Sequence, residues 1–199
     1  MKKILLSVLL ATQLLTQLQA GGDIEPVEIH DQVMREHETH QESKFYIVVT
    51  GLVDLGDTVE HEGAYLNGDQ DFGYGIDLGY RVGNGFAIEY DFTYARNTVI
   101  RVEDNLEEEA KGIYYTSAID VLYTYEATEH MGIFGKVGYE YEWESINEYN
   151  IDSQEHDFVF GAGVEIAMNE SYKLLFEYEY SLIESPRGAS VFAGILINL

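Results

Sequence analysis

Cysteine is absent from the 199 residues, so neither a disulfide nor a thiolate metal site holds this chain together. Proline occurs twice, at Pro26 and Pro186, which leaves long stretches free to run in unbroken ladders. Basic residues are scarce: 11 Lys and Arg stand against 36 Asp and Glu, a formal net charge of −25, and nucleic acid is excluded as a partner because phosphate binding needs a basic surface. The mostly apolar run Ile4 to Ala11, broken by Ser7, is too short to cross a bilayer as a helix. What the chain has in quantity is tyrosine, 16 residues, and glycine, 19, a composition suited to many strands and tight turns.

The N-terminus reads as a secretory signal. Lys2 and Lys3 precede the apolar block, and the more polar "TQLLTQLQA" ends at Ala20, giving the three regions of a cleavable peptide over 1–20. Loss of Lys2 and Lys3 makes the exported remainder two charges more negative than the whole chain. Residues 21–43 have few large apolar side chains and no clear period, and read as a flexible periplasmic lead-in.

From Lys44 onward, period two dominates to the last residue. Eight segments carry it: 44–55, 73–83, 85–96, 114–126, 131–144, 157–168, 172–183 and 189–199. In the hairpin around Gly83-Asn84-Gly85, one face carries Tyr74, Ile76, Leu78, Tyr80, Phe86, Ile88, Tyr90, Phe92 and Tyr94. The opposite face carries Asp77, Arg81, Glu89 and Asp91 among small residues. The connections 56–72, 84, 97–113, 127–130, 145–156, 169–171 and 184–188 run long and short in turn until the last, which is intermediate. That rhythm is expected of an up-and-down barrel with short turns at one end and long loops at the other. A two-sheet sandwich is the soluble rival, but it does not call for the rhythm.

The two faces decide which side meets lipid. An eight-stranded barrel has room inside only for modest side chains, too little for all of these aromatic residues. Turned outward they fit, and Gly75, Gly79, Ala87, Ala95, Ala118, Gly138, Gly161 and Gly163 leave space inside for charges. The aromatics also form two bands, as expected where amphipathic rings prefer the interface. Tyr74, Tyr94, Tyr115, Tyr141, Trp143 and Tyr180 lie toward the long-loop end, and Tyr80, Phe86, Tyr125 and Tyr172 toward the short-turn end. The expected fold is therefore all-β, an eight-stranded antiparallel up-and-down transmembrane barrel over 44–199.

On this pattern, and on the closing "SVFAGILINL", the chain resembles the small outer-membrane β-barrel proteins of Gram-negative bacteria, the group that holds the OmpA transmembrane domain, OmpX and porin-family relatives. Leu199 departs from the aromatic residue that usually ends them. The resemblance implies a place in the outer membrane, contact with its lipid and lipopolysaccharide, delivery by the barrel-assembly machinery, a monomer, and no cofactor.

The expected lumen holds Asp77, Glu89, Asp91, Asp120, Glu140, Glu142, Glu165, Glu177 and Glu179, together with Asp54, against Arg81, Lys136 and Lys173. So many enclosed carboxylates must be paired, hydrated or neutralised. One reading is a hydrogen-bonded plug around Lys136 and Arg81 in a structural or surface-interaction protein without catalysis. A second is a narrow, cation-preferring or small-solute pore. A third is a lipid A-modifying enzyme, for which His156 and Ser153 are the candidate pair. His30, His37 and His40 in the lead-in, and the acidic clusters 57–71 and 104–109, are candidate metal sites, with solvated polar segments as the plainer alternative.

Overall fold

The computed structural model describes residues 43–199 except 62, 104 and 105. The expected signal 1–20, nearly all of the lead-in, and His30, His37 and His40 lie outside the described residues. Ten strands follow: β1 (Phe45–Asp54), β2 (Thr58–His61), β3 (Ala64–Gly68), β4 (Asp71–Gly83), β5 (Phe86–Glu103), β6 (Leu106–Thr128), β7 (Met131–Ile146), β8 (Ile151–Ala167), β9 (Tyr172–Ser181) and β10 (Ser190–Asn198).

Eight of them close a ring. Each neighbour in the order β1-β4-β5-β6-β7-β8-β9-β10 is antiparallel to the next, and β10 returns to β1 from Asp54↔Ser190 to Tyr46↔Asn198. Closure removes the unpaired edges that an open sheet would present. The tight turn after β4 depends on backbone that glycine tolerates: Gly83, Asn84 and Gly85 all have positive φ, at 118°, 54° and 83°.

Burial alternates along the ring strands with period two. Along β7, Lys136, Glu140 and Glu142 are buried, while Tyr139, Tyr141 and Trp143 between them are exposed. The same outward row continues round the wall through Ile76, Ile119, Val121 and Phe176, each about half exposed or more. Soluble proteins rarely leave contiguous apolar surface beyond a few hundred Å². Here the belt runs round the ring.

Beside the inward charges Glu89, Asp91, Asp120, Lys136, Glu140, Glu142, Glu165, Glu177 and Glu179, which are buried, the interior also holds apolar side chains. Toward the short-turn end Tyr46, Val48, Ala87, Leu122, Phe134, Leu175 and Leu196 form an apolar layer, and toward the long-loop end Leu52, Ala95, Tyr114 and Phe192 form another. The inward aromatic rings fit because glycine faces them. A Cβ on Gly79, the cross-strand partner of Tyr46, would sit 2.0 Å from that ring, and one on Gly163, opposite Phe134, 2.5 Å from its ring.

Three expected loops also prove to be largely strand. Residues 97–113 continue β5 and β6 as one ladder up to Glu103↔Leu106, and 145–156 are mostly the ends of β7 and β8, joined by the 3-10 turn Asn147–Tyr149. Within 56–72, β2 and β3 form a hairpin that pairs with β5 from Gly68↔Val99 to Tyr65↔Val102. The ring therefore carries a sheet above it, in the order β2-β3-β5-β6-β7-β8. Leu66, Val99, Ala110 and Ile146 are buried on its inner face, with Val59, Tyr149 and Ile151 packed against them.

Candidate functional site

The charged residues converge between the two apolar layers. Lys136 is almost wholly buried and contacts three carboxylates, Asp91 at 2.9 Å, Glu177 at 2.9 Å and Glu179 at 3.0 Å. These come from β5 and β9, so one ammonium ties three strands of the ring. Lone buried charges are strongly unfavourable, and such a cluster holds only when each member has partners. Glycine again supplies the room: a Cβ on Gly161 would lie 2.6 Å from the Lys136 stem and 2.3 Å from Glu177. Asp120 is fully buried beside them, directly over Gly138, where a Cβ would come within 1.6 Å of its carboxylate. The void at this level, lined by Asp77, Asp91, Lys136 and Glu177, is about 10 Å³. That is near the smallest space that admits one water.

A second cation comes from the loop before β10. Ser185, Pro186 and Arg187 are buried, and Arg187 reaches Glu140 and Glu142 on β7, each at 2.8 Å. Burial acts against the charge on this guanidinium, but Glu140 and Glu142 outweigh it and raise its pKa. The loop backbone is held as firmly as the side chain. Asn97 donates to the Pro186 carbonyl at 3.0 Å, Gly56 N–H to Arg187 O at 3.0 Å and Asp57 N–H to Pro186 O at 3.1 Å. Gly188, with φ of 70°, packs so closely on Gly56 that a Cβ would lie 2.7 Å from its carbonyl. Beneath the loop Ser190 donates to Asp54.

Arg81, expected at the plug, stands instead at the short-turn mouth. It donates to Ser43 O at 2.6 Å and to Asn198 Oδ1 at 2.9 Å, and lies 4.5 Å over the Tyr46 ring. Tyr46 in turn donates to Glu89 at 2.6 Å. Lys173 pairs with Glu165 at 3.2 Å beside it, and the mouth opens as a cavity of about 310 Å³. The second cation of the plug is thus Arg187, which alternation cannot find because it lies in a link. The available signal was chemical: Glu140 and Glu142 share an inward row with Lys136, which three other carboxylates already surround.

The outward tyrosines form continuous rows. Tyr74, Tyr94, Tyr115 and Trp143 are successive cross-strand partners, with ring centroids 5.1 Å apart for the first pair and 5.2 Å for the second. Tyr141 stacks on Trp143 at 6.3 Å, and Tyr180 is exposed in the same zone. Near the other end, Tyr80 meets Phe45 and Phe86 meets Tyr123, both at 4.9 Å, with Tyr125 and Tyr172 exposed beyond them.

Ser153 and His156 both border one cavity but are not hydrogen-bonded to each other. Ser153 donates to Glu144 on β7, whereas His156 shares a 2.6 Å hydrogen bond with Tyr139 among the outward rings. Among the described residues, no group of three or more histidines and carboxylates is placed to hold a metal ion. Asp104, the first residue of the acidic stretch 104–109, lies outside the described residues.

OprG from Pseudomonas aeruginosa superposes with a TM-score of 0.65 at 11% identity, over 79% of this chain and 97% of that one. Neisserial surface protein A gives 0.56 at 18% identity over 79% and 98%, and the N-terminal barrel domain of P. aeruginosa OprF 0.53 at 10% over 80% and 100%. At these identities the likeness is one of fold. No curated protein matches the chain. Residues 33–195, most of the sequence, match the model of the outer membrane protein β-barrel domain, and the chain belongs to that family of Gram-negative outer-membrane barrels.

Proposed function

We propose that the chain is a closed, non-catalytic component of the outer membrane, a monomer whose ring anchors the upper sheet at the cell surface for contacts there. The observation that carries this reading is the filled lumen. Lys136 with its three carboxylates, Arg187 with Glu140 and Glu142, and an apolar layer on each side occupy the centre, and the void lined by Asp77, Asp91, Lys136 and Glu177 is about 10 Å³. Eight strands give too narrow a bore for a wide channel, and here the bore is occupied. Ser153 and His156 bond to different partners, Glu144 and Tyr139, rather than to each other, which supports the non-catalytic reading over a lipid-modifying enzyme.

A narrow cation path is the second reading. It is supported by the excess of inward carboxylates and by cavities of about 310 Å³ and 340 Å³ toward the two ends. Planar-bilayer recording of the refolded protein separates the two. The closed barrel gives no unitary conductance, while a reproducible cation-selective conductance would establish the pore. Outer-membrane lipid and lipopolysaccharide are the partners of the belt in either case, and the barrel-assembly machinery inserts it.

A further inference from the structure

The upper sheet, unlike the ring, has two free edges. β2 pairs only with β3, and β8 pairs with β9 only from Val159↔Ser181 downward, so 151–157 have no strand on that side among the described residues. The geometry at Phe158 fixes which backbone groups are left over. Its carbonyl accepts from Leu182 N–H at 2.9 Å and so points away from β7. Its own N–H is taken by the Asp157 carboxylate at 2.7 Å, in place of a strand. By strand alternation, the N–H and C=O groups of Asp152, Gln154 and His156 point the same way, toward the open side.

Both edges border one cavity of about 340 Å³. Glu60 and His61 line it from β2, Glu155 and Asp157 from β8, and Leu182 and Ile183 form an apolar floor. Unpaired strand edges invite another strand, and natural edges are commonly protected by charge. Here the charge has one sign on both sides. A second copy of this chain would bring acidic edges against acidic edges, whereas a basic segment would find complementary charge and an apolar floor.

We infer that the gap between β2 and β8 is a slot for one extended, cationic peptide segment, which pairs with the free backbone of β8 and is held by the carboxylates on the two edges. Such strand addition draws affinity from main-chain hydrogen bonds and selectivity from alternate side chains. The inference rests on the surface-contact reading only in needing the loop end to face outside. The test uses a preparation in which both ends are accessible, so its failure bears on the slot alone, and bilayer recording bears separately on the closed barrel.

The experiment titrates the full chain, refolded in nanodiscs of zwitterionic lipid, with a fluorescent peptide of alternating Lys and Val. A peptide of the same sequence, N-methylated at every residue, carries equal charge but offers no backbone N–H on either edge. The slot predicts at least tenfold tighter binding of the unmethylated peptide. It also predicts that Gln154→Pro, which removes an edge donor and no β7 bond, lowers binding to the methylated level, and that Glu155→Gln with Asp157→Asn weakens it. Neutralising Glu107 and Glu109, on the outer surface of the sheet, leaves it unchanged. In the unmodified protein the amides of Asp152, Gln154 and His156 exchange more slowly when the peptide is added, which keeps the test valid should Gln154→Pro misfold. Equal binding of the two peptides, or unaltered exchange at those amides, would overturn the slot and leave only a diffuse acidic surface.

Discussion

Two ends of the same strands follow opposite rules. Within the belt β6 turns Val121 and Ile119 outward and buries Asp120, while a few residues upstream, in the upper sheet, it turns Glu107, Glu109 and Lys111 outward and buries Ala110. The pairing with β5 runs from Phe86↔Tyr123 to Glu103↔Leu106 with no slip, so neither face changes sides. What changes is the solvent. Where lipid surrounds the wall, the apolar face is outermost and the polar face must satisfy itself inside. Where water surrounds it, the ordinary arrangement returns, with Leu66, Val99, Ala110 and Ile146 as a small core. The switch falls at the row Tyr94, Tyr115, Trp143, where the outer face is amphipathic. A β-strand passes through such an inversion without a break because its backbone hydrogen bonds do not depend on which face is wet.

This contrast gives substitutions of graded effect. The largest is expected for Lys136→Met, which strands Asp91, Glu177 and Glu179 without their shared cation. Breaking a buried ion network in this way costs about 3–5 kcal/mol, read as a lower urea midpoint for unfolding from lipid vesicles. Ile146→Ala removes the centre of the upper core and costs about 2–5 kcal/mol there. Hydrogen exchange should show that loss in 97–113 and 145–151 while the ring keeps its unfolding midpoint.

A matched pair on one face of β6 sharpens the comparison further. Val121→Lys places a charge against the lipid core and costs about 2–4 kcal/mol. Glu109→Lys, on the same face beyond the belt, changes stability by no more than about 0.5 kcal/mol in the same assay. The smallest of the core effects belongs to Tyr149→Phe. That hydroxyl has its one proton between the carbonyls of Val99 and Glu108 and accepts from Arg101 N–H, and its loss costs about 1 kcal/mol, seen as faster exchange at the Arg101 amide.

The same contrast explains which parts of the fold were legible in the sequence. The ring was, because alternation such as Phe86-Ala87-Ile88-Glu89-Tyr90-Asp91 has a large amplitude when one face meets lipid. The upper sheet was not. On β6 upstream of Ile113 the outer face becomes polar, so a stretch such as Glu107-Glu108-Glu109-Ala110-Lys111 loses its amplitude and reads as a loop although the ladder continues, while on β5 Ile100 and Val102 share that outer face. Most lumen charges were legible from their phase, but their partners were not. Neither the meeting of Lys136 with Glu177 and Glu179 nor the descent of Arg187 into the mouth is a property of neighbouring residues. Alternation gives Phe134 the inward phase of Lys136, two residues on, but not that a lumen crowded with charges has room for its ring and that of Tyr46. Gly79 and Gly163 opposite them carried the signal, and it becomes readable only once the strand register is known.

The absence of cysteine makes the passage of β6 from lipid to water measurable by site-specific labels. Single cysteines at outward positions 107, 109, 111, 115, 119, 121 and 123 of β6, each spin-labelled in lipid bilayers, report whether oxygen from the lipid or a water-soluble nickel chelate reaches the label. A wall that passes from lipid to water along β6 gives lipid contact from 115 to 123, aqueous contact at 111, 109 and 107, and one crossing between them, with a label at the inward position 110 shielded from both. Aqueous access at 119 and 121, or lipid contact at 107 and 109, would contradict it.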